Sequence, residues 1–281
     1  MPFSLRRLLP RSLRSEGPTI PVVRLHGTIM AGGGQLRPSL NLASVAGVLE
    51  KAFAFKDAPM VAVVVNSPGG SPVQSRLIFQ RIRDLADDKR KRVVVFVEDV
   101  AASGGYMIAL AGDEIVADPS SIVGSIGVVS ASFGFTGLLD KLGIERRVYT
   151  AGENKSVLDP FRPEKAEDVE RLKALQLEVH QTFIDLVRLR RGDRLDENPD
   201  LFTGLFWTGK RGLSLGLVDA LGDIRGYARG RYGPKVRLQL IQPQRSLLGR
   251  RLGLFGIDWG RAGDAVIEAA EERAMWSRYG L

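Results

Sequence analysis

The sequence predicts an α/β protein built around a mostly parallel β-sheet. Two runs rich in β-branched residues, VAVVV from Val61 and VVVFV from Val93, are apolar without interruption, which is typical of strands buried on both faces of such a sheet. Helical patterns alternate with the strands, which indicates right-handed βαβ units. With 281 residues, 44% of them hydrophobic, the chain is long enough to bury this core.

Local signals place the other elements in order along the chain. The first strand is IPVVRL at residues 20–25, and a glycine-rich loop then leads to an amphipathic helix from Asn41 to about Phe55. A second helix, from about Pro72 to Ala86, follows the first buried run. Further strands are predicted for EIVAD, SIGVVS, RRVYT and VRLQLI, at residues 114–118, 125–130, 146–150 and 236–241. Further helices are predicted near residues 138–142, 163–191, 224–232 and 264–276.

These elements group into one larger α/β domain with an extension at each end. Residues 1–18 form a basic N-terminal segment, residues 19–242 the α/β domain, and residues 243–281 a tail that contains the last amphipathic helix. No stretch recurs at a fixed period, so the sequence excludes solenoid repeat proteins.

The composition excludes several classes of site. The chain has no cysteine, which rules out disulfides, thiol catalysis and cysteine-ligated zinc or iron–sulfur centres. Its formal net charge of +8 comes largely from short basic runs, which we interpret as solvated surface. No nucleic-acid partner is therefore expected.

The N-terminal segment bears on where the protein acts. It lacks the uninterrupted apolar core of a secretory signal peptide, and no apolar run in the chain approaches the roughly 20 residues that cross a bilayer. We therefore expect a cytoplasmic protein. The alternative is peripheral contact with the inner face of the membrane, because the segment mixes leucines with arginines.

Ser103 is the candidate nucleophile. It stands in AASGGY, where a buried strand gives way to a glycine-flanked turn that opens the helix YMIALAG. Gly104 and Gly105 are small enough to let a substrate backbone come close. The alternative is that Ser103 only caps the helix, which is a common use of serine at this position.

A serine nucleophile needs a base, and the sequence favours a lysine. Of the two histidines, His26 and His180, neither has a nucleophile beside it in sequence. Lys155, in TAGENKS, lies in a loop and precedes apolar Val157, Leu158 and Phe161. We expect these side chains to shield its amine from water and so to favour the neutral form. The alternative is an exposed loop lysine.

A second turn, NSPGGS, presents two consecutive glycines, Gly69 and Gly70, after a buried strand. Such a turn lets backbone N–H groups converge on one point, which suits an anion or the oxyanion of a tetrahedral intermediate. The alternative is a plain turn.

The four segments NSPGGS, AASGGY, DPSSIVGSIGV and GENKS, in this order and spacing, resemble peptidase family S49, the signal peptide peptidase A and SohB group of serine endopeptidases, in its short single-unit form. The resemblance implies a ClpP/crotonase-like fold for residues 19–242. It also implies a Ser–Lys dyad, with Ser103 as nucleophile and Lys155 as general base. Further roles implied are orientation of the lysine by Ser125 and an oxyanion hole formed at Gly69, Gly70 and Gly104.

The function implied by this resemblance is hydrolysis of small hydrophobic or unfolded peptides, such as signal-peptide remnants, without a metal or organic cofactor. Short members of the family assemble into rings, so a homo-oligomer is expected in which neighbouring protomers share each site. Two alternatives stay open: an acyl-CoA-processing enzyme of crotonase fold, and a non-catalytic scaffold that binds membranes or nucleic acid.

Overall fold

The computed structural model describes residues 17–32, 39–242, 269–270 and 272–281. Its strands are β1 (Thr19–His26), β2 (Val61–Ser67), β3 (Val93–Ala102), β4 (Glu114–Ala117), β5 (Ile122–Gly124), β6 (Phe206–Thr208), β7 (Ala220–Leu221) and β8 (Arg237–Leu240). Its helices are α1 (Leu42–Phe53), α2 (Pro72–Lys89), α3 (Gly104–Ala109), α4 (Thr136–Leu142), α5 (Ala166–Arg191), α6 (Gly209–Ser214) and α7 (Ile224–Tyr232). Short 3₁₀ turns follow α5 at Gly192–Arg194 and Pro199–Phe202.

Strand β3 lies at the centre of a single sheet with the order β6-β5-β3-β2-β1-β8. Along its edge opposite β2, β3 pairs first with β4 and then, in its last three residues, with β5, while β7 continues the sheet beyond β4. The pairs are parallel except for the antiparallel pair of β5 and β6. This architecture confirms the predicted α/β class with a mostly parallel sheet.

Strand β2 shows why the buried runs are continuously apolar. All seven of its residues are buried, and successive side chains point to opposite faces of the sheet. Val61, Val63 and Val65 join the larger core under α1, α2 and α3, whereas Ala62 and Val64 join a second core under α7. Helices therefore cover both faces, and polar side chains are excluded from the middle of the sheet.

Local capping sets the ends of the helices beside the site. The side chain of Ser71 accepts a hydrogen bond from the Gln74 N–H, and Pro72 occupies the first turn of α2, where a missing N–H costs nothing. At the other end, Arg90 takes a left-handed conformation with φ 49°. Helix α2 is therefore anchored directly after the SPGG turn, and its start agrees with the prediction.

Two predicted strands are wrong. SIGVVS does not form a strand; the strand lies just before it, as β5, because positive φ values of 102° at Gly124 and 53° at Ser125 turn the chain out of the sheet. RRVYT is irregular, and its Val148 and Tyr149 are 38% and 90% exposed. Strand propensity expresses itself only where a partner and a buried face exist, and the described part of this chain offers RRVYT neither.

The two extensions of the domain are described only in part. Residues 1–16 and most of the predicted helix at 264–276 lie outside the described residues, and the described residues 269–270 and 272–277 are helical. The boundaries at residues 18 and 242 stay a prediction. Among the described helices, none is both long and apolar enough to cross a bilayer.

Candidate active site

Ser103 lies in a strained turn between β3 and α3. Its backbone has φ 51° and ψ −122°, a region that residues other than glycine rarely occupy and that is held at a cost of about 1–3 kcal/mol. Its N–H donates to the Gly124 carbonyl at 2.8 Å, and its side chain makes no capping hydrogen bond to α3. The helix-cap interpretation is therefore wrong, and the hydroxyl remains available at the carboxyl edge of the sheet.

Gly69 allows the SPGG turn to lie directly against Ser103. Its φ is 104°, and a Cβ added there would lie 2.8 Å from the Ser103 Cβ and 2.9 Å from the Gly104 nitrogen. Any side chain at this position would push the turn away from the serine. The close approach shows that the glycine pair does more than reverse the chain direction.

The backbone of Gly70 lies close to Gly104, the residue that follows Ser103. Gly70 forms a parallel bridge with Ile29, in which the Ile29 N–H donates to the Gly69 carbonyl and the Ser71 N–H donates to the Ile29 carbonyl. In such a bridge the N–H of the middle residue points away from the partner strand. The Gly70 nitrogen is 3.4 Å from where a Cβ of Gly104 would lie.

The amide of Gly69, by contrast, already has a partner. Its N–H donates to the Ser67 Oγ at 3.2 Å, inside the turn. Gly104 is the first residue of α3, and a first-turn N–H has no acceptor within its own helix. Gly70 and Gly104 are therefore the two candidate N–H donors beside Ser103.

A cavity of about 300 Å³ opens beside Ser103. Gly70 and Gly104 line it together with the serine, and the rest of its wall is mostly apolar. The apolar lining includes Pro68, Met107, Val128, Val129 and Phe183. A cleft of this character suits an apolar side chain of a ligand whose polar backbone is held by a few directed groups.

Ser125 lies on the other side of Ser103 and is 5% exposed. It is the residue after Gly124, whose carbonyl accepts from the Ser103 N–H, and its own N–H donates to the Leu205 carbonyl at 2.7 Å. The Ser125 Oγ accepts a hydrogen bond from the Tyr279 hydroxyl at 3.2 Å. Nothing in the sequence around Tyr279 signals this contact, because it joins positions 154 residues apart.

Lys155 is exposed and lies in a turn of the chain away from these groups. Its N–H donates to the Gly152 carbonyl at 3.3 Å, and Lys155, although described, is not among the residues that line the cavity at Ser103. The expected desolvation by its apolar neighbours is not observed, because Lys155 is exposed. Phe161 instead stacks on Phe135 with ring centroids 5.3 Å apart, under the guanidinium of Arg146.

The segment of residues 128–165, which we call the lysine segment, leaves many large apolar side chains uncovered. Among the exposed ones are Val129, Phe133, Leu138, Leu142, Ile144 and Tyr149. Helix α4, within this segment, has no buried residue. A set of uncovered apolar side chains of this size is typical of a surface that meets another protein.

An irregularity in β3 positions the strand end that carries Ser103. Val65 pairs with Val97 but Ser67 with Ala101, so β3 has two extra residues in this stretch. Asn66 bridges the gap, because its side chain accepts from the Val100 N–H at 3.2 Å and donates to the Asp99 carboxylate at 2.6 Å. No local sequence pattern indicates this supporting role for Asn66.

A charged network fixes the end of α5 to the sheet. Arg191, 3% exposed, donates from two guanidinium nitrogens to the Asp219 carboxylate at 2.8 and 3.0 Å, and the Ile115 N–H donates to the same carboxylate. Burial alone would raise the pKa of Asp219, but the hydrogen bonds and charge of Arg191 hold that pKa below its ordinary value.

Two further contacts fix α3 and α5 around the turns. The Tyr106 hydroxyl of α3 donates to the Leu217 carbonyl at 2.8 Å, and burial raises the pKa of this phenol. A ring nitrogen of His180 lies 3.0 Å from the Ile126 carbonyl, next to Ser125. His180 thus contacts the chain segment that carries Ser125.

Comparisons with known proteins place the chain among peptidases. The model of peptidase family S49 matches residues 86–229. A Na(+)/H(+) antiporter NhaA of Brucella abortus (strain 2308) is 66% identical over 290 residues, which cover 100% of this chain and 39% of that protein. The chloroplastic serine protease SPPA of Arabidopsis thaliana is 34% identical over 212 residues, which cover 73% of this chain and 31% of that protein.

The chain therefore spans less than two fifths of the length of either relative. Among solved structures, a mutant of a membrane-bound stomatin-specific protease in complex with a substrate peptide superposes with a TM-score of 0.49 at 16% identity. That superposition covers 82% of this chain and 94% of the other.

Proposed function

This chain belongs to peptidase family S49, and we propose that it acts as a serine endopeptidase with Ser103 as its nucleophile. One observation carries the proposal: the Ser103 hydroxyl makes no capping hydrogen bond and stands in a strained turn beside the backbone of Gly70 and Gly104. The Brucella relative's name describes a protein of which this chain matches 39%, and no transport activity is proposed for this chain.

In the proposed reaction, the Ser103 Oγ attacks the carbonyl carbon of a peptide bond and gives its proton to the neutral amine of Lys155. The N–H groups of Gly70 and Gly104 donate to the oxyanion of the tetrahedral intermediate. When the C–N bond breaks, the lysine returns the proton to the departing amine. Water then attacks the acyl-enzyme by the same steps and releases the carboxylic acid and the free serine.

Gly69 and Ser125 have supporting roles in this proposal. Because the Gly69 N–H is bonded to Ser67, Gly69 contributes to the oxyanion hole by letting the turn approach the serine, not as the main donor. Ser125 accepts a hydrogen bond at its Oγ, and the lysine amine would be oriented there for proton transfer from Ser103.

We propose further that Lys155 completes the site of a neighbouring protomer in a homo-oligomeric ring. A lysine amine accepts a proton only where burial or a neighbouring cation favours its neutral form, and Lys155 is exposed within its own protomer. The lysine segment around it carries uncovered apolar side chains that a second copy would bury. Head-to-tail contacts of this kind close into rings.

The proposed substrates are small hydrophobic or unfolded peptides, such as signal-peptide remnants. The apolar cavity beside Ser103, about 300 Å³, supports a preference for aliphatic side chains next to the cleaved bond. The proposed chemistry uses no metal or organic cofactor.

Peripheral membrane contact through residues 1–18 is a further proposal, which binding to anionic vesicles tests.

Reaction with a fluorophosphonate probe, followed by peptide mapping, tests the nucleophile. We expect the label on Ser103 and expect Ser103→Ala and Lys155→Ala each to lose hydrolysis of a hydrophobic peptide by at least about a thousandfold, since the dyad acts as a unit. Lys210→Ala removes an exposed lysine from α6 and serves as the matched control. Turnover of acyl-CoA without labelling would contradict the proposal and favour a crotonase-type enzyme.

A further inference from the structure

Residues 272–281, which we call the closing segment, lie against the candidate active site. Met275 and Arg278 line the same cavity as Ser103. Tyr279, 8% exposed, packs on Val100 and Ala102, at the end of the strand that carries the serine. The closing segment therefore forms one wall of the cleft that the proposed substrate must enter.

The Tyr279 hydroxyl bonds to the side chain of Ser125, the residue to which the proposed function assigns orientation of the lysine amine. It donates to the Ser125 Oγ at 3.2 Å and lies 3.5 Å from the Pro68 carbonyl. The Tyr279 ring packs edge-on against Phe206, with centroids 5.0 Å apart. Ser125 is only 5% exposed. Tyr279 therefore both donates a hydrogen bond to the Ser125 Oγ and helps to cover it.

A second side chain fixes the closing segment to the domain. The indole of Trp276 contacts the ring of His26, at the end of β1, with centroids 5.8 Å apart. It also packs with Ile122 of β5 around the buried pair of Val100 and Ala102. The segment is thus held at the ends of β1, β3 and β5, the edge of the sheet where the turns of the site lie.

We propose that the closing segment is autoinhibitory and competes with Lys155 of a neighbouring protomer for Ser125. The inference rests on the proposed function. A buried Oγ that is covered by one hydroxyl and its ring has no room for an ammonium-sized group as well, so the lysine reaches Ser125 only after Tyr279 has left. An unassembled protomer is then closed, and productive assembly or substrate binding displaces the segment.

Tyr279→Phe in the full chain tests the competition, because it removes the hydroxyl and keeps the ring. Loss of one hydrogen bond from the closed state should raise kcat/KM for a hydrophobic peptide by about threefold to tenfold. Trp276→Ala, which loosens the segment at another point, should also accelerate hydrolysis. Tyr232→Phe, on α7 at the second core, is the matched control and should leave the rate unchanged.

Amide hydrogen exchange gives a readout that does not depend on turnover. In Ser103→Ala protein, addition of an uncleaved hydrophobic peptide should speed exchange in residues 272–281, and Tyr279→Phe should speed it without peptide. Unchanged or slower hydrolysis by Tyr279→Phe would overturn the inference while Ser103-dependent hydrolysis by the natural chain leaves the proposed function standing. Failure of the natural chain to hydrolyse peptide or to label at Ser103 would overturn both.

Discussion

The two residues of the proposed dyad lie in regions of opposite physical character. Ser103 follows β3, in which eight of ten residues are buried, and its turn is fixed by backbone hydrogen bonds to Gly124 and by contact with Gly69. Lys155 lies in the lysine segment, where α4 has no buried residue and large apolar side chains are uncovered. The first region is buried in the described chain, whereas the second is exposed.

This difference separates two requirements of the chemistry. The nucleophile and the oxyanion donors need positions accurate to a few tenths of an ångström, which a buried parallel sheet provides. The base needs a dry environment, which an exposed turn lacks and a protein interface supplies. In the proposed enzyme, these two requirements would be met on different surfaces, and we therefore expect its activity to depend on assembly.

Mixing two inactive variants is the strongest test of this contrast. Co-expressed Ser103→Ala and Lys155→Ala chains should recover roughly a quarter of natural activity, because in an equal mixture one shared site in four receives both an intact serine and an intact lysine. This is a gain of hundreds-fold over either variant alone. Peptide hydrolysis by the purified mixture measures it.

The double variant Ser103→Ala, Lys155→Ala, co-expressed with the natural chain, controls for dilution of the sites. This mixture should show only the activity of those sites whose serine and lysine both come from the natural chain. A mixture of single variants that stays inactive, although differently tagged chains co-purify, would show that each site is built within one protomer.

The charged network should matter for folding and not for chemistry. Asp219→Asn leaves the buried guanidinium of Arg191 without its carboxylate, and we expect a loss of about 3 kcal/mol in the free energy of unfolding, roughly a hundredfold in the equilibrium constant. Denaturant titration measures this loss. Asp193→Asn, at an exposed position in the turn after α5, is the matched control and should change stability little.

The same carboxylate predicts how stability depends on pH. Because the pKa of Asp219 is lower in the folded chain than in the unfolded chain, its contribution is present above about pH 4 and is lost as pH falls and the folded-state carboxyl takes up a proton. The natural chain should therefore lose stability on acidification more steeply than Asp219→Asn. Parallel acid titrations of the two would refute the assignment.

A smaller effect is expected from a substitution in the exposed lysine segment. Leu142, 61% exposed on α4, is replaced by serine without loss of a buried contact, so monomer stability should stay unchanged. If the lysine segment meets a second copy, the loss of one buried leucine should weaken assembly by about tenfold or more. Sedimentation velocity over a dilution series measures this, with Leu240→Ser on β8 as the control.

The sequence predicts the interior of this molecule well and its surface less well. VAVVV and VVVFV form the central strands because the middle of a sheet covered on both faces favours apolar side chains, so local composition and final environment agree. RRVYT has the same β-branched and aromatic character but no strand to pair with in the described chain. Propensity alone could not separate these two situations.

Residues of the candidate site are likewise predictable only where a local sequence pattern marks them. Ser103, Gly69 and Gly70 can be identified from the sequence because each belongs to a turn that directly follows a buried strand. The contact between Tyr279 and Ser125 depends on how a distant part of the chain returns to the sheet, and the exposure of Lys155 depends on how its loop packs against the rest of the chain. Neither is encoded in a local pattern.

The left-handed backbone of Ser103 restricts which other nucleophile could ever stand there. Threonine carries a hydroxyl of similar reactivity, but its branched Cβ is strongly disfavoured at a φ of 51°. Threonine, the chemically most similar substitute for Ser103, is thus sterically the least favourable. Cysteine, by contrast, would fit the turn. In a chain without any other thiol, that exchange would give a single attachment point for a covalent reporter inside the cleft.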